Sequence, residues 1–129
     1  MPIVMPPSLR RLSQEEFGEL SFEVMEHVFA IHSAYGRFFE EAIYKRELQR
    51  RMAGTQLEVP VDVVFGSFSK RYFLDVLVGE GGLFEFKATD ALTERHKSQL
   101  LNYLLLTNLA HGRLVTTRAE AVNFSVFPS

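Results

Sequence analysis

Asp75, Glu85 and Lys87 are the residues in this chain best placed to do chemistry. They sit in two apolar stretches, Phe73-Leu74-Asp75-Val76-Leu77-Val78 and Leu83-Phe84-Glu85-Phe86-Lys87-Ala88. Between them lies Gly79-Glu80-Gly81-Gly82, a turn whose residues tolerate positive φ. The pattern predicts a β-hairpin centred near Glu80, which sets Asp75 opposite Glu85. Side chains alternate along a strand, so Glu85 and Lys87 share a face. Two carboxylates about 5 Å apart at an effective dielectric of about 20 repel by roughly 3 kcal/mol. A cation offsets such repulsion, and a hard divalent ion such as Mg²⁺ suits two carboxylates plus water and phosphate oxygens. A solvated strand end with a Glu–Lys pair is the plainer alternative. Apolar neighbours on both faces instead predict a strand buried on both sides, where charges need partners.

Further candidates stand on the elements around the hairpin. Gln99 and Tyr103 are four apart in a predicted helix and share a face, with His96 nearly on it. Glu41 and Tyr44 are three apart in an earlier helix. Taken singly, Gln99, His96 and Glu41 read as surface residues and Tyr103 as a core aromatic.

The positioning elements follow from pattern. Ser13 and Glu16 form a capping box, which starts a helix carrying Phe17, Leu20, Val24, Val28 and Ile31 on one side and ending near Ser33, before Gly36. A second helix is predicted from Phe38 to Met52, with Phe39, Ala42, Ile43, Leu48 and Met52 inward and Gly54 at its end. Leu57–Phe65 alternates as a strand, and Pro60 assigns it to an edge or a bulge. Gly66–Ser69 is a turn, and strands follow at Arg71–Val78 and Leu83–Ala88. Thr93 caps a third helix, predicted to reach Ala110, with Leu100, Leu101, Leu104 and Leu105 on the sheet. Arg113–Thr117 and Ala121–Phe127 complete an order of ααβββαββ. The fold class is α/β (α+β), a mixed central sheet flanked by helices.

Whole-chain properties bound the rest. The 129 residues make one domain with a real core, read as a lead-in over 1–12 and the domain over 13–129. The first seven residues lack the basic and apolar regions of a signal peptide, so an extended or frayed lead-in is expected. The chain has no Cys, which excludes a disulfide scaffold or thiolate site and fits a reducing compartment such as the cytoplasm. No apolar run is long enough for a membrane span. A net charge of −2 confines any nucleic-acid contact to a local patch. Arg46 and Arg50 on the second helix, with Arg95 and Lys97, are candidates for phosphate contacts. The competing reading is a solvated face in which Glu47 pairs with Arg50 or Arg51.

The ordered set Asp75, Glu85-Phe86-Lys87, then Gln99-x-x-x-Tyr103 resembles the PD-(D/E)XK nuclease superfamily, and within it the small bacterial GxxExxY family. The resemblance runs from about Phe17 to Phe124. It includes Val28–His32, Gly36–Tyr44, Val59-Pro60-Val61, Leu74–Val78, Phe84–Ala88 and Gln99–Leu104. Phe38 stands where the GxxExxY motif expects Gly, and Leu74 stands where Pro often precedes the Asp. The resemblance implies a single restriction-endonuclease-like domain. It implies that Asp75, Glu85 and the Phe86 carbonyl hold Mg²⁺ or Mn²⁺, with Glu41 reaching the same ion. By the same resemblance Lys87 serves the attacking water and the phosphate, and Gln99 and Tyr103 position the phosphate backbone. The implied activity is metal-dependent phosphodiester hydrolysis on DNA or RNA. The alternatives are a nuclease-fold module without catalysis, serving nucleic-acid binding or protein assembly, and an unrelated domain with a coincidental motif. No sequence-recognition element is visible, which leaves specificity to a partner, a homodimer or a larger complex.

Overall fold

The computed structural model describes residues 3–6, 8–118 and 123–128, the last as backbone. Ser13 caps α1 (Gln14–Tyr35) with the expected box: its hydroxyl accepts from Glu16 N and its own N–H donates to the Glu16 carboxylate. Gly36, at φ 79, ends the helix. Phe17, Val24, Val28 and Ile31 are buried as the helical spacing requires. α2 (Glu41–Arg51) starts three residues later than predicted. Phe38 and Phe39 precede it and are exposed, so Phe39 does not face the core. The Tyr44 side chain, fully buried, holds this connection by donating to the Gly36 carbonyl and accepting from Phe39 N.

The strands are β1 (Ile3–Val4), β2 (Thr55–Phe65), β3 (Phe68–Val78), β4 (Gly82–Lys87), β5 (His111–Thr116) and β6 (Asn123–Pro128). They form one mixed sheet in that spatial order. Only the β4–β5 pair is parallel, and α3 (Glu94–Thr107) crosses between those two strands, as a parallel connection requires. Relative to the predicted order, the addition is β1, whose Ile3 and Val4 pair with Val63 and Asp62. Part of the lead-in is therefore packed. Leu12 is buried, and Arg10 N donates to the Glu80 carbonyl at 2.8 Å. β1 leaves Pro60 on an open edge, where a missing N–H costs nothing. For the predicted last strand, Ala121 and Val122 lie outside the described residues.

Helices cover both faces. On one, Phe17, Val24, Val28, Ile31, Tyr44 and Leu48 pack against Val76, Val78, Phe84, Phe86 and Val115. On the other, Leu100 and Leu104 of α3 pack against Val59, Val61, Leu74, Leu77, Leu83 and Leu114. Leu101 and Leu105, expected on the sheet, are exposed instead. One turn advances about 100° per residue, so two leucines three to four apart reach the sheet while their C-terminal neighbours rotate off it. Asn108 in the left-handed conformation stops α3 three residues before the predicted end.

Candidate functional site

The β3–β4 hairpin has the register its turn implies. Val76 pairs with Phe84, Leu77 with Leu83 and Val78 with Gly82. One step further out, Asp75 would face Glu85, but there the ladder ends. Phe86 N donates to Asp75 Oδ2 at 2.8 Å rather than to a β3 carbonyl. The β2 side of Asp75 is disturbed too. Leu57 pairs with Val76 and Val59 with Leu74, while Glu58, between them, has φ 52 and no ladder partner. A non-glycine residue in that region costs on the order of 1–2 kcal/mol. Both neighbours of β3 thus loosen at Asp75, and β4 diverges from it.

Glu85 lies in this divergence and is 4% exposed. Its Oε1 is buried with no hydrogen-bond partner among the described residues. Its Oε2 is 3.7 Å from Lys87 Nζ, an ion-pair contact too long for a hydrogen bond. Burial, then the charge of Asp75, pushes the Glu85 carboxyl up to about 7 against the opposing pull of Lys87 and Lys45. Lys87 Nζ donates to Gln99 Oε1 at 3.0 Å. Gln99 Nε2 in turn donates to the Tyr103 hydroxyl at 3.4 Å. Burial and the charge of Glu85 raise the Tyr103 phenol. Asp75, Glu85, Lys87, Gln99 and Tyr103 are therefore linked by contact or charge. A cleft lined by Lys87, Arg95, His96, Ser98 and Gln99 opens from them. Thr93 and His96 cap the α3 end of this cleft reciprocally, at 3.2 and 3.3 Å. Burial and Lys87 lower the His96 imidazole.

Lys45 is the site residue that sequence reasoning misplaced. It reads as one of several cations on a basic helix, yet it is 8% exposed. Its Nζ donates to Asp75 Oδ1 at 2.6 Å and stands 3.9 Å from Glu58 Oε1. Burial alone would lower its pKa; the Asp75 hydrogen bond and charge, with Glu41 and Glu58, outweigh that and leave it raised. The available signal was spacing: Lys45 is four residues after Glu41 and on its face. Glu41 opens α2 beside the end of β4, where Oε1 accepts from Ala88 N at 3.0 Å. Its charge reaches both Lys45 and His96.

The four basic candidates separate. Arg95 lines the cleft. Lys97 pairs with Glu94 at 3.3 Å. Arg50 pairs with Glu47, and Arg46 donates to the Ala42 carbonyl in a separate hollow beside Lys45 and Glu58. Arg46 and Arg50 thus do not line the cleft, and each is held by a local i to i+3 or i+4 partner on an exposed helix. Among the described residues no group of three or more His, Cys, Asp or Glu is arranged to hold a metal ion. Nor is any described helix long and apolar enough to cross a membrane.

A mixed sheet between helices, with a carboxylate pair and a lysine where two central strands part, defines a restriction-endonuclease-like α+β domain. A sequence model of the PD-(D/E)XK nuclease superfamily matches residues 18–125, and the chain belongs to that superfamily. Its nucleases generally use divalent metal ions. The fold is also similar to the crystal structure of SSO0001, with a TM-score of 0.50 and 15% identity, over 82% of this chain. The aligned region spans 65% of that protein's length. A search of the curated proteins found none similar to this chain.

Proposed function

We propose that this domain is a metal-dependent phosphodiesterase acting on DNA or RNA, of the GxxExxY kind. The observation that carries the reading is Glu85: a buried carboxylate with an unmatched oxygen, under the charge of a second carboxylate, Asp75, and in ion-pair contact with Lys87, which lines the cleft together with Gln99. A buried acceptor without a donor is costly, and a cation relieves that cost. The all-oxygen donors Asp75 and Glu85 fit Mg²⁺ or Mn²⁺. Two carboxylates suffice, since Mg²⁺ commonly keeps waters and substrate oxygens for its remaining positions. The residues that would hold it are Asp75, Glu85 and the Phe86 carbonyl; Glu41, whose Oε1 accepts from Ala88 N, makes no three-carboxylate group with them among the described residues. Once bound, the ion supplies a more acidic water and polarises the phosphoryl oxygen.

The chain's own groups do the rest. The Lys87 ammonium, held between Glu85 and Gln99, sets a positive charge where negative charge builds on the phosphate and orients the attacking water. The Gln99 amide and Tyr103 hydroxyl offer donors that fix the phosphate backbone, and Arg95 adds charge at the cleft wall. In-line attack needs positioning and electrostatics more than covalent participation.

A second reading is supported by Lys45. An ammonium at 2.6 Å from Asp75 already neutralises one carboxylate, as would suit a nuclease-fold module that binds without cutting. Calorimetry and melting with millimolar Mg²⁺ or Mn²⁺ separate the two. The catalytic reading expects binding and a raised melting temperature, both lost in Asp75→Asn. No heat and no shift in the wild type would favour the binding module.

A further inference from the structure

The β2–β3 hairpin continues past the core with its strands in register out to Phe65 opposite Phe68. Gly66, at φ 60, makes the tight two-residue turn. Because side chains alternate, the face that begins with Val59, Val61 and Leu74 under α3 continues outward through Tyr72, Lys70, Phe68 and Phe65. Along it the chemistry changes. The Tyr72 ring meets Tyr103 edge-on at 6.2 Å between centroids. The Lys70 ammonium lies 4.9 Å from the Tyr72 ring centre. At the tip, Phe65 and Phe68 are 66% and 56% exposed. No described strand pairs with this stretch of β3 on its other edge, because the β4 ladder reaches only to Val76. The stripe therefore runs from Tyr103, in the candidate site, to the hairpin tip without interruption.

Rings alternating with a cation match both halves of a nucleotide: each base offers a π-face, and each phosphate a negative charge. An apolar protein partner would leave Lys70 without a match, and an acidic one would leave the two phenylalanines. From Tyr72 to Phe68 the strand advances about 13 Å, room for more than one base. A duplex keeps its base faces stacked inside, so the strand must be single. We propose that this face of the hairpin is a stacking track that leads a single-stranded nucleic acid into the Lys87–Gln99–Tyr103 cleft. The proposal rests on reading that cleft as a phosphodiester site and adds the class of substrate.

The test is fluorescence anisotropy with labelled dT12, rU12 and a blunt 12-bp DNA duplex, in EDTA so that binding is read without cleavage. Wild type should bind both single strands, or one of them, more tightly than the duplex. The Phe65→Ser/Phe68→Ser protein should lose about tenfold or more in single-strand affinity. Lys70→Gln should reduce the slope of log K against log salt by about 0.7. Phe22→Ser, an exposed phenylalanine on α1, should bind as wild type does. Equal affinity for duplex and single strands would overturn the proposal. So would unchanged single-strand binding in the double variant, or sedimentation in which that variant merely converts a dimer to a monomer. Cleavage that survives loss of the stripe contradicts this proposal alone. Stripe-dependent binding without cleavage in Mg²⁺ contradicts the catalytic reading alone.

Discussion

Replacing Glu85 by Gln should stabilise the metal-free protein at alkaline pH and leave it nearly unchanged near pH 4.5. In the folded protein the Glu85 carboxyl holds its proton to about pH 7, against an ordinary value of 4.5. Burial is the main cause and the Asp75 charge the second. Above pH 4.5 the unfolded chain gives up this proton while the folded protein keeps it. The folded state then binds more protons, and stability falls as pH rises through this window. At about 1.4 kcal/mol per pH unit, the full cost is about 3 kcal/mol, reached once pH exceeds the folded value. The neutral amide of the Glu85→Gln variant would carry no such cost. Urea unfolding followed by circular dichroism in EDTA, from pH 4.5 to 8.5, measures it. The stability difference, variant minus wild type, should climb by about 3 kcal/mol between pH 4.5 and 8, after any constant offset from the amide's own contacts. A flat difference, or one that falls with pH, would refute the claim that burial and the Asp75 charge outweigh the pull of Lys87 and Lys45 at Glu85.

Lys45→Met should cost about 3 kcal/mol, because it leaves Asp75 beside β4 without its ammonium partner; adding Asp75→Asn should recover much of that loss in a double-mutant cycle. Gly81→Ala should destabilise by about 1–3 kcal/mol, since the new methyl would lie 2.0 Å from the Arg10 carbonyl oxygen; amide exchange should show the lead-in released from the β3–β4 turn. Leu105→Ala should change stability by less than about 0.5 kcal/mol, as its side chain is 68% exposed; a larger loss in thermal melting would place that face of α3 in contact with something.

What the sequence could and could not disclose follows from how local each feature is. The register of the β3–β4 hairpin from Val78–Gly82 to Val76–Phe84 was legible because a short glycine turn and two apolar strands fix it without reference to the rest of the chain; that the ladder stops before Asp75 meets Glu85 was not. The Ser13 box and the Thr93 cap were legible for the same reason. That Lys87, Gln99 and Tyr103 belong to one site was expected from a motif; the structure adds that their side chains are linked by hydrogen bonds. Lys45 was not legible, because a charged helix residue looks the same whether its face meets solvent or the open end of a sheet. The positive φ of Glu58 and the pairing of Ile3 and Val4 with β2 depend on tertiary context in the same way. Leu101 and Leu105 misled because four leucines in six positions cannot all face one sheet.

Cleavage tests the central claim most directly: labelled single-stranded DNA, duplex DNA and RNA incubated with wild type and Lys87→Ala in Mg²⁺ or Mn²⁺, with EDTA as the control. The expected result is metal-dependent hydrolysis by wild type, abolished in EDTA and in Lys87→Ala, while calorimetry shows that the variant still binds the ion. Wild type and Lys87→Ala equally inert on all three substrates, with metal shown to be bound, would contradict the account.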